Sequence, residues 1–225
     1  MTTFRLRFTL KSDATFGRGD GVAGVVDSEV QYDAYGLPYL GGRALKGLLG
    51  EECANILFAL ESQGQAKCWQ EAAQRLFGRP GSQEEDQSLL HVGDARLPED
   101  LRQAVKRGIE RGELTREQVL RSLTEVRRQT AIDAQTGAPL KETLRAMRVI
   151  LRETPFEATL TFEADPTPDD LALLAACIKA LRRAGTGRNR GRGELVARLC
   201  DAQGQDVTDT HFERFRQALQ QEAVR

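Results

Sequence analysis

Between residues 182 and 195 the chain reads RRAGTGRNRGRGEL, with Arg188, Arg190 and Arg192 inside five positions and Asn189 among them. Guanidinium groups are forked donors that grip phosphate with two parallel hydrogen bonds, and glycines let a backbone come close to an anion. Cations this crowded repel one another unless an anion is near. The chemistry on offer is phosphate binding, and the question is whether the phosphate belongs to a nucleotide or to a nucleic-acid backbone. Nucleotide loops follow a strand and open a helix, so that the helix N-terminus faces the phosphate. Here the glycines follow a predicted helix and open a predicted strand, and Gly185, Gly187 and Gly191 give G-x-G-x-x-x-G rather than a dinucleotide fingerprint. The run GGRALKGLLG at 41–50 likewise lacks the order G-x-x-x-x-G-K-[ST]. A nucleic-acid backbone is the better ligand.

Other reactive side chains are sparse. The four cysteines, Cys53, Cys68, Cys177 and Cys200, include no C-x-x-C pair, and the two histidines are His91 and His211. Buried free thiols are expected, and no zinc. His91 lies in the apolar run SLLHV, where it reads as a packed core histidine, and His211 falls in the predicted terminal helix. Asp33 precedes Gly36 and Pro38 and reads as a turn former, while Asp20 could be a turn residue or part of a site.

The net charge of −1 hides an asymmetry: residues 102–152 carry twelve Lys/Arg against six Asp/Glu, and residues 179–198 seven against one. Two basic stretches against an acidic remainder suit one anionic partner face. The N-terminal MTTFRLRFTLKSD alternates apolar and polar residues. It is read as neither signal peptide nor membrane span, and the protein as cytoplasmic with no membrane partner.

The elements that must hold the basic loop follow from periodicity. Phe4, Leu6, Phe8 and Leu10 share one face of a predicted strand, and residues 43–61 space Leu45, Leu49, Cys53, Ile56 and Leu60 as a helix. SLLHV predicts a short strand, residues 98–128 an inserted helical stretch, and residues 156–163 a second alternating strand. Thr167 and Pro168 open another helix, with Leu171, Leu174, Cys177 and Ile178 buried and Gly185 as its end. ELVARLC predicts the last strand, and residues 208–224 a terminal helix. This βαββαβ order predicts an α+β, ferredoxin-like (RRM-like) domain over residues 1–200, interrupted by an insertion at about 98–152 and followed by a helical tail at 201–225.

Four segments taken together resemble the RAMP superfamily of CRISPR-Cas proteins. They are GVAGVVDSEVQYDAYGLPYLGGRALKGLLGEE, RLFG with LLHVGDARL, RRQTAIDAQTGAPLKETLRAMRVI, which resembles a thumb-like hairpin, and GTGRNRGRGEL, which resembles a C-terminal glycine-rich loop. Within the superfamily the chain is most similar to the repeated (Csm/Cmr-like) backbone subunit of type III effector complexes, which lines a guide RNA and cuts the paired target RNA. The resemblance implies guide RNA, target RNA and other effector subunits, further RAMP subunits included, as partners in antiviral defence.

The same resemblance assigns residues. Asp27 of VVDSEV matches a catalytic aspartate and ligand of Mg²⁺ or a similar divalent cation, implying a metal-dependent endoribonuclease. Gly41, Gly42, Arg43 and Lys46 match a segment gripping guide phosphates at the start of the first helix. Arg127, Arg128, Thr130, Asp133 and Thr136 match polar positions of the thumb, with Ile132 and Leu144 as wedges between bases, and Arg188, Asn189, Arg190 and Arg192 match the loop. RNA can be cut by its own 2′-hydroxyl attacking the adjacent phosphate, so an enzyme need supply only alignment, a proton acceptor and stabilisation of charge. Two rivals share the superfamily: a scaffold that binds guide RNA without cutting, and a guide-processing ribonuclease, which commonly needs a histidine base. A protein-interaction domain unrelated to RNA would leave both basic stretches unexplained.

Overall fold

The N-terminal alternation becomes an inner strand of the main sheet. The computed structural model describes residues 2–22, 24, 26–79, 88–133, 135–140 and 143–222. Strand β1 (Thr2–Leu10) buries Phe4, Leu6, Phe8 and Leu10 and leaves Arg5 exposed. β5 (Pro155–Phe162) runs antiparallel to it, with Leu6 opposite Ala158 and Phe8 opposite Phe156. β6 (Leu195–Cys200) pairs along the other side of β1, and the short β2 (Leu90–Val92) along β5. The order β2-β5-β1-β6, antiparallel throughout, is the ferredoxin-like sheet expected from the element order.

Two helices bury their apolar stripes in one cluster with the sheet. α1 (Gly42–Glu61) contributes Leu45, Leu49 and Cys53, and α5 (Pro168–Ala180) contributes Leu173, Leu174, Cys177 and Ile178. Each fully buried side chain of leucine size is worth roughly 1.5–3 kcal/mol, so this cluster dominates the docking of helices to sheet. α5 opens with a capping box: the Asp170 N–H donates to Thr167 Oγ1 at 3.2 Å, and the Thr167 N–H to Asp170 Oδ2 at 2.9 Å.

Four local expectations change. α5 ends at Ala180 rather than Gly185, because residues 182–184 turn back along the approach to β6: Leu195 donates to Arg182 O and Ala184 to Gly193 O, both at 2.9 Å. A helix absent from the sequence reading, α2 (Lys67–Phe77), buries Trp69, Ala72 and Leu76, and Phe215 of α6 (Thr208–Glu222) packs on Trp69 with ring centroids 4.6 Å apart. His91 is not a core histidine: alternation in β2 turns Leu90 inward and leaves His91 exposed, with Nε2 2.6 Å from Glu163 Oε1. The helical insertion divides into α3 (Glu99–Glu110) and α4 (Arg116–Leu123), and its last residues are already strand. That strand, β3 (Thr124–Gln129), pairs antiparallel with β4 (Arg145–Ile150) as a two-stranded sheet apart from the main one. No helix among the described residues is long and apolar enough to cross a membrane.

The hairpin and the glycine-arginine loop are both fastened to residues 13–16, just past β1. Ala14 and Ile150 exchange backbone hydrogen bonds at 3.0 and 2.7 Å, and Thr15 Oγ1 donates to Arg148 O at 2.9 Å. From the loop, Gly193 donates to Asp13 O and Thr186 to Thr15 O, each at 2.9 Å, while Gln31 donates to Phe16 O at 2.7 Å. Gly193 has φ +71°, and a Cβ there would lie 1.8 Å from Ala184 O.

The N-terminus of α1 has no side-chain cap of its own, and Asp94 supplies one from beyond β2: its Oδ1 accepts from the Gly42 N–H at 2.9 Å and its Oδ2 from Arg96 at 2.9 Å. The Arg96 guanidinium and then the Gly42 amide hold the Asp94 carboxyl below the usual carboxylate range.

Gly193→Ala, which meets both left-handed strain and a backbone clash, should lower stability by at least about 2 kcal/mol in urea titration. Gly191→Ala, also left-handed at φ +77° but with open space around it, should lose only about 1 kcal/mol. Asp94→Ala should cost about 1 kcal/mol at neutral pH. A depressed carboxylate pKa stabilises above the unfolded value, about 3.9, and the benefit is lost as pH falls through the folded one. The difference from wild type should therefore vanish in acid.

Candidate nucleic-acid interface

Asp27 is held against β4. Its N–H donates to Ala146 O at 2.8 Å, its Oδ2 accepts from the Ala146 N–H at 2.7 Å, and Arg148 donates to Ser28 O at 3.0 Å, so residues 27–28 extend that sheet as a parallel bridge. Two positions on, Glu29 is 2% exposed and accepts from Arg148 Nε at 2.8 Å and from the Val30 N–H at 2.9 Å. Removing one partner of such a buried pair costs about 3–5 kcal/mol. The exposed Asp27 thus projects from a fixed base.

The glycine-arginine loop supplies a second wall. A 3₁₀ turn, Arg188–Arg190, sits between Gly187 and Gly191, both left-handed at φ 77°. Arg188 reaches Glu51 of α1 at 2.9 Å, and Arg183 donates to Arg188 O at 2.8 Å. Arg192 is half-buried with its guanidinium against Met147 Sδ. Asn189 and Arg190 are exposed. Asp27, Arg145, Met147 and this loop line one open cleft of about 630 Å³, with Ser28 and Gln129 at its wall. Among the described residues Asp27 is its only carboxylate, facing Arg145, Arg188, Arg190 and Arg192. A concave surface with this imbalance concentrates anions.

Other expected site residues lie elsewhere. At the start of α1 the Gly42 amide donates within the chain to the Asp94 carboxylate. Gly42 itself is buried, with Val92 O 2.2 Å from where a Cβ would stand. Lys46 donates to Leu90 O at 2.8 Å and to Ser88 Oγ, and burial pushes its pKa down. Of that group Arg43 is exposed and bears no ion pair among the described residues, while Gly41 is half-buried.

On the hairpin, Arg127 is held by Asp13 at 3.0 Å and Glu125 at 2.9 Å, whereas Arg128 is exposed and unpaired among the described residues. Thr130 and Thr143 share a hydrogen bond of 2.8 Å across the hairpin. Asp133 Oδ1 accepts from the Thr136 N–H at 2.7 Å, from Thr136 Oγ1 at 3.0 Å and from the Gln135 N–H at 2.9 Å. Led by the Thr136 amide, these bonds hold its carboxyl below the usual range and make it a turn former. Ile132 and Leu144 are 60% and 67% exposed near the same tip. Asp33 shapes its turn as expected, accepting from the Tyr35 and Leu37 amides, and Asp20 pairs with Arg18.

Sequence reasoning missed Arg145. Its one signal was its place in a basic stretch; its nearness to Asp27 arises only from the pairing of residues 27–28 with β4.

No group of three or more His, Cys, Asp or Glu among the described residues is arranged to hold a metal. The Asp27 cleft therefore suits only a divalent cation whose other ligands are waters and phosphate oxygens, with Asp27 as its single protein carboxylate. Cys53, Cys177 and Cys200 are buried free thiols. The Cys68 side chain lies outside the described residues.

Comparison with known proteins places the fold and the family. Among solved structures, a chain of a type III-B Cmr-beta complex bound to cognate target RNA superposes with a TM-score of 0.61 at 13% identity, covering 88% of this chain and 97% of that one. A chain of type III-B Cmr-beta in the apo state gives the same TM-score and coverage at 14% identity. Identities this low carry the fold alone. Comparison with curated proteins gives no match. The profile of the RAMP superfamily matches residues 7–196, most of the 225, and spans both the Asp27 segment and the glycine-arginine loop. The chain belongs to the RAMP superfamily.

Proposed function

We propose that this chain is a backbone subunit of a type III CRISPR-Cas effector complex, working in the cytoplasm, that binds guide RNA beside other RAMP subunits and cleaves the paired target RNA through Asp27. The observation that carries the reading is the single cleft uniting Asp27 with the glycine-arginine loop and Arg145. Superfamily membership supports the RNA partner, and so does a fold shared with a chain from a complex bound to target RNA.

The chain's own groups have separable tasks. Arginines on two walls hold the phosphate backbone without reading bases. Asp27 Oδ2 is engaged by the Ala146 amide. Its Oδ1 has no hydrogen bond among the described residues and is placed to orient or deprotonate a 2′-hydroxyl. Bound Mg²⁺, with Asp27 as its protein ligand, would neutralise charge on the phosphate under attack. Arg43, Arg128 and the polar side chains of the hairpin belong to the wider RNA path, with Ile132 and Leu144 as apolar wedges. The excess of arginine over carboxylate in the cleft favours a second reading, a scaffold that binds RNA without cutting.

Asp27→Asn separates the two. The amide oxygen can still accept from the Ala146 N–H, so assembly and target binding should persist, while cleavage of guide-matched labelled RNA in Mg²⁺ should fall by about 10²-fold or more. Asp33→Asn, which keeps its turn hydrogen bonds, should cut normally. Cleavage at the wild-type rate by a complex assembled with the Asp27 variant would show that the cut does not depend on Asp27 and would leave the scaffold reading of this chain standing. A second expectation concerns the loop: replacing Arg190 and Arg192 with alanine should weaken binding to single-stranded RNA of every sequence alike. The log-log salt slope should drop by roughly 0.7 per lost phosphate contact.

A further inference from the structure

The arginines around the Asp27 cleft divide by what neutralises them. Arg148 is matched by buried Glu29, Arg188 by Glu51, and neighbouring Arg127 by Asp13 and Glu125. Arg192 is half-buried against Met147. Arg145 and Arg190 line the cleft, are exposed, and have neither ion pair nor side-chain hydrogen bond among the described residues.

Both are presented by ordered backbone. Arg145 opens β4 in register with Gln129 and precedes Ala146, whose amide holds Asp27. Arg190 ends the 3₁₀ turn, its N–H donating to Gly187 O at 2.8 Å. Two arginines with uncommitted guanidinium forks thus line the cleft, one from the hairpin and one from the loop, beside its one carboxylate among the described residues. A phosphodiester carries one negative charge on two non-bridging oxygens, so each fork can take one oxygen.

We propose that Arg145 and Arg190 form a two-sided clamp on one RNA phosphodiester and hold that linkage beside Asp27. The clamp rests on the RNA-binding reading above, but it does not require that the chain cut RNA. It adds Arg145 to the binding residues and makes the hairpin and the loop act jointly on one linkage.

A double-variant cycle on the full chain tests the clamp, using a short fluorescent single-stranded RNA with 2′-O-methyl sugars, which cannot be cut through its own 2′-oxygen. Arg145→Ala and Arg190→Ala should each weaken binding about tenfold. Because both serve one phosphate, the double variant should depart from the product of the single effects by more than about twofold. Arg128, equally unpaired but outside the cleft, is the control, and Arg145→Ala with Arg128→Ala should multiply. Unchanged melting temperatures would show that exposed Arg145 is not needed for folding. Effects of Arg145 and Arg190 that multiply within twofold would overturn the clamp while leaving RNA binding intact. Failure of the wild-type chain to bind the probe would overturn the RNA reading itself, and the clamp with it.

Discussion

Everything that surrounds Asp27 depends on four residues past the end of β1. Residues 13–16 bond the hairpin through Ala14 and Thr15, the glycine-arginine loop through Asp13 O and Thr15 O, and the chain returning from Asp27 through Phe16 O. Ala14, Thr15 and Phe16 are buried. A buried backbone group that loses its partner costs about as much as a lost hydrogen bond together with its desolvation. Segments from three regions of the sequence are therefore locked to one short stretch. The two walls of the cleft cannot drift apart without breaking it.

That constraint explains what the glycines do. Gly185 and Gly193 are left-handed and lie against Thr15 O and Ala184 O, 2.5 and 1.8 Å from where a Cβ would stand, so they let the loop close on the core. Gly187, whose missing Cβ would stand 3.5 Å from Arg192 Cδ, and Gly191, in open space, are both left-handed and set the turn that presents Arg188, Asn189 and Arg190. One glycine-rich stretch serves two purposes, close packing at its ends and presentation in its middle.

Charge is sorted in the same way. Arginines that brace the architecture, such as Arg148 on Glu29 and Arg75 on Asp170, meet carboxylates that are 2% and 1% exposed. Those left over face the cleft or solvent. A carboxylate likewise meets the start of α1, where Asp94 accepts from the Gly42 amide. The basic surface open to a polyanion is therefore narrower than the basic composition of residues 102–152 suggests.

Much of this was legible in the residues themselves. β1, β5, α1 and the capped start of α5 follow from period-2 and period-3.6 spacing and from Thr167 with Asp170, because those signals act over one or two turns of chain. α2 is legible too, in the spacing of Trp69, Ala72 and Leu76. Asp27 and the arginine loop could be named from sequence because their residue types and order resemble a family. Only the tertiary structure decided that Arg145 stands beside Asp27, that Asp94 caps α1, and that His91 faces outward. It also decided which arginines stay unpaired. A sequence supplies the number of cations and the local periodicity of its elements. Which carboxylate neutralises which cation depends on strand pairings and loop closures between distant segments, and local propensity carries no information about those.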